Sequence, residues 1–463
     1  MRVEKDSFGK VSVPIDAYYG AFSKRAQDNF KISGITYPKE FIAAYAILKR
    51  SAAAANAELG LLDNDKKSAI VKACEDVIKG RFSDQFIVDV FQAGAGTSTN
   101  MNLNEVIANR ALEIMHHKKG NYSIINPNDH VNMSQSTNDT FQSAAHIAAY
   151  AALKTRLVPA LKNYDSAMAK KSREFSRIVK VGRTHLMDAV PITLGQEFSG
   201  YMLDDDMDAL EYSMKRLLKL SVGGTAVGTG INVHKDFQKA FFRNLNKYTK
   251  YAFSPVGNEF SMTQNLSVIL QVSSVLANIA AKLGKVANDL RLMSSGPMTG
   301  IAEIILPEVQ PGSSIMPGKI NPSMPEMMNM VCFQIAGNEL AVRLAAQSGQ
   351  FELNVFGPAA VYNMLQSIEL LSNAVSTLSS RCILGIKPNK KNIEKHLDDS
   401  AAIATALSPF IGYAKTAELV KEALEKGISV RDLAIKKKLL SKEKVEKILD
   451  PQKLTSPNLP IEK

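Results

Sequence analysis

The 463-residue chain is 45% hydrophobic and 22% charged, a balance that excludes disordered and fibrous classes and gives length for about three domains at roughly 150 residues each. Lys and Arg exceed Asp and Glu by 56 to 45, a net charge of +11, but the basic residues are spread among acidic ones and only Lys436, Lys437 and Lys438 form a dense run; the excess suits small anionic substrates better than nucleic acid. Three cysteines, Cys74, Cys332 and Cys382, are too few and too separated for a disulfide framework or a thiolate metal site. The N-terminus is charged from Arg2, and no run reaches the ~20 uninterrupted apolar residues of a membrane span, so a cytoplasmic protein without nucleic-acid or membrane partners is expected.

Proline punctuates the chain. Stretches free of it run between Pro38 and Pro127, Pro159 and Pro191, Pro191 and Pro255, Pro255 and Pro297, Pro325 and Pro358, and Pro409 and Pro451, and long helices belong there because an interior proline breaks a helix at about 3 kcal/mol. An Ala-rich face (Ala144, Ala145, Ala148, Ala149, Ala151, Ala152) allows close helix approach. Helical patterning continues through 150–175 and 196–220. The clearest stripe is Leu266, Ile269, Val272, Leu276, Ile279, Leu283, Val286 and Leu290 within Ser261 to Met293, recurring every three or four residues over roughly 45 Å of helix. Glu326 to Gln347 repeats the pattern. These segments predict a mostly α protein with a long central helical bundle. The expected domains are 1–138 at the N-terminus, 139–350 for the bundle, free to run on toward 390, and 351–463 as a C-terminal helical domain.

Gly, Ser, Thr and Asn concentrate in short islands, each expected beside a helix: 93–104, 126–139, 182–188, 223–230 and 312–322. Orphan N–H groups and the dipole at a helix start attract anions, and Ser, Thr and Asn there also serve as ordinary caps. Gly182-Arg183-Thr184-His185 sets a cation, a hydroxyl and an imidazole side by side, and Gly312 to Pro322 places Ser313 and Ser314 six and five residues before Lys319. Together they suit a small dicarboxylate: cations and hydroxyls hold one carboxylate while clustered donors stabilise a second as it gains charge. GGTAVGTG at 223–230 lacks the Lys-Ser/Thr of a phosphate loop, His116-His117 has no carboxylate at ligand spacing, and no Gly-x-Ser-x-Gly elbow is present.

GSSIMPGKINP at 312–322 resembles the signature of the fumarase/aspartase superfamily, whose members eliminate an amine or water from a succinyl group to leave fumarate. The resemblance extends over nearly the whole chain, through KDSFGKVSVPIDAYYG, FQAGAGTSTNMNLNEVIANRALE, NPNDHVNMSQSTND, VGRTHLMDAVPITLGQEF, GGTAVGTG, ANDLRLMSSGP and GQFELNV. It implies a three-domain fold that assembles as a homotetramer with a twenty-helix core, each active site drawing on three subunits. It also implies roles. Ser313 would remove the Cβ proton. Thr97, Ser136, Thr137 and Ser314 would hold the β-carboxylate and stabilise its aci form, Thr184, Lys319 and Asn321 would hold the other carboxylate, and Asn138 and His185 would face the leaving group. A serine is a poor base at its ordinary pKa, so Lys319 and loop N–H groups must stabilise the alkoxide. The chemistry calls for neither cofactor nor metal, since donors bear the developing charge.

Two activities compete within that resemblance. Ala95-Gly96-Thr97, Asn126-Pro127-Asn128-Asp129, Ser136-Thr137-Asn138-Asp139 and Met324-Pro325-Glu326 follow the aspartase pattern, whereas Gly182-Arg183-Thr184-His185 and Gly223 to Val227 are at least as fumarase-like. Met298 and Ser408-Pro409-Phe410 fit neither. The expectation is an aspartate ammonia-lyase, with class II fumarate hydratase the alternative and a non-catalytic structural relative a third reading.

Overall fold

The computed structural model describes residues 1–457. Its principal elements in chain order are a hairpin of β1 (Arg2–Asp6) and β2 (Gly9–Val13), helices α1 (Lys39–Glu58), α2 (Asn64–Ile78), α3 (Thr97–Ile114), α4 (Thr137–Ala152) and α5 (Val158–Glu174), then a second hairpin of β3 (Val179–Thr184) and β4 (Met187–Thr193). Helices α6 (Phe237–Thr249), α7 (Ser267–Met293), α8 (Ser323–Gln347), α9 (Gly357–Arg381) and α10 (Lys390–Asp399) follow, before shorter C-terminal helices. Strands are confined to two-stranded ribbons, so the mostly α reading holds.

Two compact units emerge, each built from separate stretches: Met1–Pro159, Asp205–Ala280 and Phe333–Leu371 in one, and Ala160–Asp204, Ala281–Cys332 and Ser372 onward in the other. The divisions fall within α5, α7, α8 and α9, which contribute to both. This grouping by compactness is a different kind of partition from the three consecutive segments set out above.

In the first unit, α1 buries Phe41 and Tyr45 against Phe141 of α4 in edge-on ring contacts, with Tyr37 completing the cluster. The small face of α4 is what admits such close packing: Ala144, Ala145, Ala148 and Ala149 are all buried. The apolar stripe of α7 is buried at each of its eight positions. By length and composition α7 alone among the described helices could cross a membrane; its stripe packs against protein. In the second unit, Ile403, Leu407, Leu419, Val430, Leu433, Val445 and Leu449 form a separate C-terminal core.

The helical patterning across 150–175 is matched, Pro159 included: α4 passes through a wide turn at Leu153–Leu157 straight into α5, and that turn, immediately before the proline, makes room for its ring and missing N–H. One expectation fails for an identifiable reason: the segment 196–220 is not one helix. It divides into Leu194–Ser199 and Asp204–Leu217, where Leu203 donates its N–H to Asp165 at 3.0 Å.

Candidate active site

In the first unit, α3 begins after the turn Gly94-Ala95-Gly96, with Ala95 and Gly96 in the left-handed region at φ 61° and 84°. A Cβ on Gly96 would lie 2.2 Å from the Phe141 ring, so only glycine lets this turn sit against α4. Thr97 opens the helix; one turn on, the Asn100 side chain donates to Thr137 Oγ1 at 2.9 Å. Helix α4 opens with a capping box. Ser136 Oγ accepts from the Asn138 N–H at 3.2 Å and Asp139 Oδ1 accepts from the Ser136 N–H at 3.0 Å. The other oxygen of Asp139 accepts the N–H groups of Gly223 and Thr225, both at 2.9 Å, and Asn138 Nδ2 donates to the Ala226 carbonyl at 2.7 Å. GGTAVGTG is therefore an amide cradle for a buried carboxylate. Burial pushes the Asp139 carboxyl up to about 7 against the pull of those N–H donors.

The second unit holds the remaining candidates in two places. Thr184 and His185 lie exposed at the turn between β3 and β4, with His185 and Leu186 at φ 56° and 62°. This island, expected beside a helix, is the turn between two strands: β-branched residues at Val179, Val181, Val190 and Ile192 commit the flanks to a ribbon. Arg183 is not free to hold a substrate, as its place beside Thr184 suggested. Its guanidinium donates at 2.7 Å to Glu303, a fully buried carboxylate that Lys180 approaches to 3.1 Å and His396 Nδ1 also to 3.1 Å. Burial pushes the Glu303 carboxyl up, but Arg183, Lys180 and His396 together hold it below the usual carboxylate range.

The loop 312–322 closes on itself. The Gly312 N–H donates to the Lys319 carbonyl at 2.9 Å and Asn321 Nδ2 donates to the Gly312 carbonyl at 2.7 Å; a Cβ on Gly312 would meet that Lys319 oxygen at 2.3 Å. Ser313 Oγ accepts N–H groups from Ile315 at 3.2 Å and Met316 at 3.0 Å. Ser314 and Lys319 are exposed, and no ion pair engages Lys319 among the described residues. The fold thus gathers Ser136, Thr137 and Asn138 into one bonded cluster beside the start of α3 at Thr97. Among the described residues no hydrogen bond or ion pair joins Thr184 or His185 to Ser313, Ser314, Lys319 or Asn321.

Three supporting residues escaped the sequence reading. Asp139 had a visible signal, the Ser-x-x-Asp spacing of a capping box. Lys49 is fully buried on α1, and a lone lysine one turn from Tyr45 on an apolar face was its mark. Glu303 carried no local signal, because its partners are 93 to 123 residues away in sequence.

Comparison with known proteins agrees with this architecture. A lyase family model matches residues 9–337, and a fumarase C C-terminus model matches 403–456. The chain is 48% identical to an aspartate ammonia-lyase of Helicobacter pylori, over 99% of this chain and 98% of that protein, and 44% identical to a class II fumarate hydratase of Bacillus subtilis, over 98% and 99%. A fumarate lyase:delta crystallin structure from Brucella melitensis superposes with a TM-score of 0.94 at 44% identity, covering 98% of this chain and all of that one, and a class II fumarase from Schistosoma mansoni with 0.95 at 36%, covering 99% and 100%. The chain belongs to the fumarase/aspartase superfamily of lyases.

Proposed function

We propose that the protein is an aspartate ammonia-lyase, converting L-aspartate reversibly to fumarate and ammonia. The observation that carries the reading is the aspartase pattern at Thr97, Asn126 and Ser136 to Asp139. The engagement of Asn138 supports it: one amide hydrogen is held by Ala226 and the Oδ1 oxygen accepts no bond among the described residues, which suits an ammonium group able only to donate.

In this reading the Ser313 alkoxide takes the Cβ proton, the electron pair left behind passes into the β-carboxylate as its aci form, and that pair then returns to form the Cα=Cβ double bond of fumarate as the C–N bond breaks with its electrons on nitrogen, which leaves as ammonia. The Ile315 and Met316 N–H groups already directed at Ser313 Oγ favour its ionised form. Thr97, Ser136, Thr137 and Ser314 hold the aci-carboxylate, Thr184, Lys319 and Asn321 the other carboxylate, and Asn138 and His185 the departing amine. Self-association as a homotetramer would bring these groups together from different copies. The exposed apolar stripe of α8, Met330, Phe333, Leu340 and Leu344, has the three-and-four spacing of a helix that packs against another.

Class II fumarate hydratase is the second reading, favoured by the Gly182 to His185 stretch. Incubating the protein with fumarate, with and without ammonium, decides between them: aspartate only with ammonium is expected, and malate formed without ammonium overturns the assignment.

A further inference from the structure

Beneath the cluster at the start of α4 lies a buried cation that the proposed chemistry does not use. Lys49 is fully buried on α1, between Tyr45, Leu48 and Ala52, and forms no ion pair among the described residues. Its Nζ donates to Asn132 Oδ1 at 2.7 Å. Asn100 Nδ2 and Asn104 Nδ2 reach that same oxygen, each at 3.2 Å, and Asn100 Nδ2 goes on to Thr137 Oγ1 at 2.9 Å.

Two groups set the orientation of Asn132: the Lys49 ammonium on its Oδ1 and the Gln135 carbonyl, which accepts from its Nδ2 at 3.2 Å. An ammonium has no acceptor, so the Asn132 atom facing it must be the carbonyl oxygen. That oxygen, already an acceptor, obliges Asn100 and Asn104 to present their amide nitrogens. The cost falls on Asn104, whose Oδ1 is left buried without a partner while its Nδ2 faces two acceptors, Asn132 Oδ1 at 3.2 Å and Met101 Sδ at 3.6 Å. At its other end Asn100 Oδ1 accepts the Tyr45 hydroxyl at 2.8 Å, a group that can also accept and so does not by itself fix the amide. Both hydrogens of Asn100 Nδ2 are then spoken for, one by Asn132 and one by Thr137. Thr137 Oγ1 receives a hydrogen from the protein side, so its own proton must point away from Asn100.

We infer that Lys49 is a positioning residue for Thr137: a buried ammonium that, through Asn132 and Asn100, fixes the Thr137 O–H as a donor facing outward to an anionic oxygen. A methionine of similar shape would fill the space without the cost of burying a charge, yet would leave the Asn132 amide held only by its bond to the Gln135 carbonyl. Were Asn132 to turn, Asn100 could turn with it, giving Nδ2 to the Tyr45 hydroxyl, which can donate on to Thr140 Oγ1 at 2.8 Å, and Oδ1 to Thr137, drawing the proton inward. Burial pulls the Lys49 ammonium down to about 7, opposed by the negative field of Asp139. The inference rests on the reading that Thr137 holds a substrate carboxylate.

The test is a double-mutant cycle on the full-length protein, read in two ways: kcat and KM for whichever of aspartate and malate it turns over, and calorimetric Kd for succinate, which cannot react. Thr137→Val is expected to lower kcat about 100-fold and Lys49→Met about 10- to 100-fold, each also weakening succinate binding. In the Thr137→Val background, Lys49→Met should have less than about a threefold further effect on either readout, because its target is gone. Lys49→Gln, which keeps a donor toward Asn132, should stay within about threefold of wild type. If Lys49→Met does not fold, Asn100→Ser cuts the chain nearer Thr137 and should behave the same way in the cycle. Effects that multiply independently of Thr137, a kcat and Kd unchanged in Lys49→Met, or a Lys49→Gln as impaired as Lys49→Met would each overturn the inference. A wild type inactive on both substrates would overturn the functional reading instead, while the succinate cycle would still decide the role of Lys49.

Discussion

Two of the hydroxyl-rich islands of this chain look alike in sequence and differ in construction. Ser136 to Asn138 is fixed from outside itself: Asp139 ties it to the amides of Gly223 and Thr225, Asn138 binds Ala226, and Asn100 holds Thr137. Gly312 to Pro322 is fixed chiefly by itself, through bonds from Gly312 to Lys319 and from Asn321 back to Gly312, with Ser314, Ile315 and Lys319 exposed. The difference suits the two tasks that the proposed mechanism sets. Donors that stabilise a developing charge gain from being immobile before the substrate arrives, whereas a base and a cation that close on a bound substrate need a segment that can shift without unravelling a core.

The sharpest way to break this comparison is to remove the loop's reactive group. Ser313→Ala should lower kcat by at least about 10³-fold if it is the proton acceptor of the proposed mechanism, while leaving the thermal midpoint unchanged because Ser313 bonds only to N–H groups within its own exposed turn. Retention of a tenth of the activity would exclude Ser313 as the base. A clear fall in the midpoint would show the loop to be part of the fold's support, and the contrast with the first island would fail.

The hairpin carrying His185 tests the middle ground, being exposed at its turn and anchored at its base by Glu303. Because the folded-state carboxyl of Glu303 lies below its ordinary value of 4.5, the stability it contributes is present above about pH 4.5 and is lost as pH falls through the depressed value. Glu303→Gln should therefore cost about 3 kcal/mol at pH 7, leaving Arg183 without its carboxylate partner while Lys180 keeps only Glu197, at 2.7 Å. The gap in melting temperature between variant and wild type should narrow steadily below pH 4.5. A gap constant from pH 7 to pH 3 would mean that the charge of Glu303 does not hold the hairpin.

Much of this construction was legible and some was not, for physical reasons. Eight apolar residues from Leu266 to Leu290 declared a helix because burial on one face requires that period, and the small residues of α4 declared a close contact. The chemical islands stood out because hydroxyls, amides and glycines rarely cluster without a backbone or ligand to serve. Arg183 was misread as free because a sequence places it beside Thr184 but says nothing of Glu303, 120 residues on. The helical pattern across 150–175 was legible, but not how it admits Pro159: the rule against interior proline assumes a regular preceding turn, and only the backbone discloses the wide one at Leu153–Leu157.

Lys319 measures how much the loop contributes before chemistry begins. Lys319→Ala should raise KM about 10- to 100-fold, as expected for losing one charge-assisted contact to a carboxylate present in both ground and transition states. Its smaller effect on kcat would separate it from Ser313. A direct substrate-binding measurement showing the affinity of wild type would remove Lys319 from the carboxylate site.

The smallest expected effect isolates packing from backbone strain. Gly96 and Gly318 sit at nearly the same left-handed φ, 84° and 78°, so an alanine at either bears a similar conformational cost of about 1 kcal/mol. Their surroundings differ entirely: a Cβ at Gly96 would enter the Phe141 ring, while one at Gly318 meets nothing within 4 Å. Gly96→Ala must displace Phe141 from a core it shares with Tyr37, Phe41 and Tyr45, adding roughly 1–3 kcal/mol of overpacking to the strain. In Gly318→Ala the strain stays inside a loop whose opening is not coupled to that core. Scanning calorimetry should then find a marked drop in the melting temperature for Gly96→Ala and almost none for Gly318→Ala. Equal drops would mean that the signature loop is as firmly coupled to the fold as the island beside Phe141, and that its self-closing bonds do not set it apart.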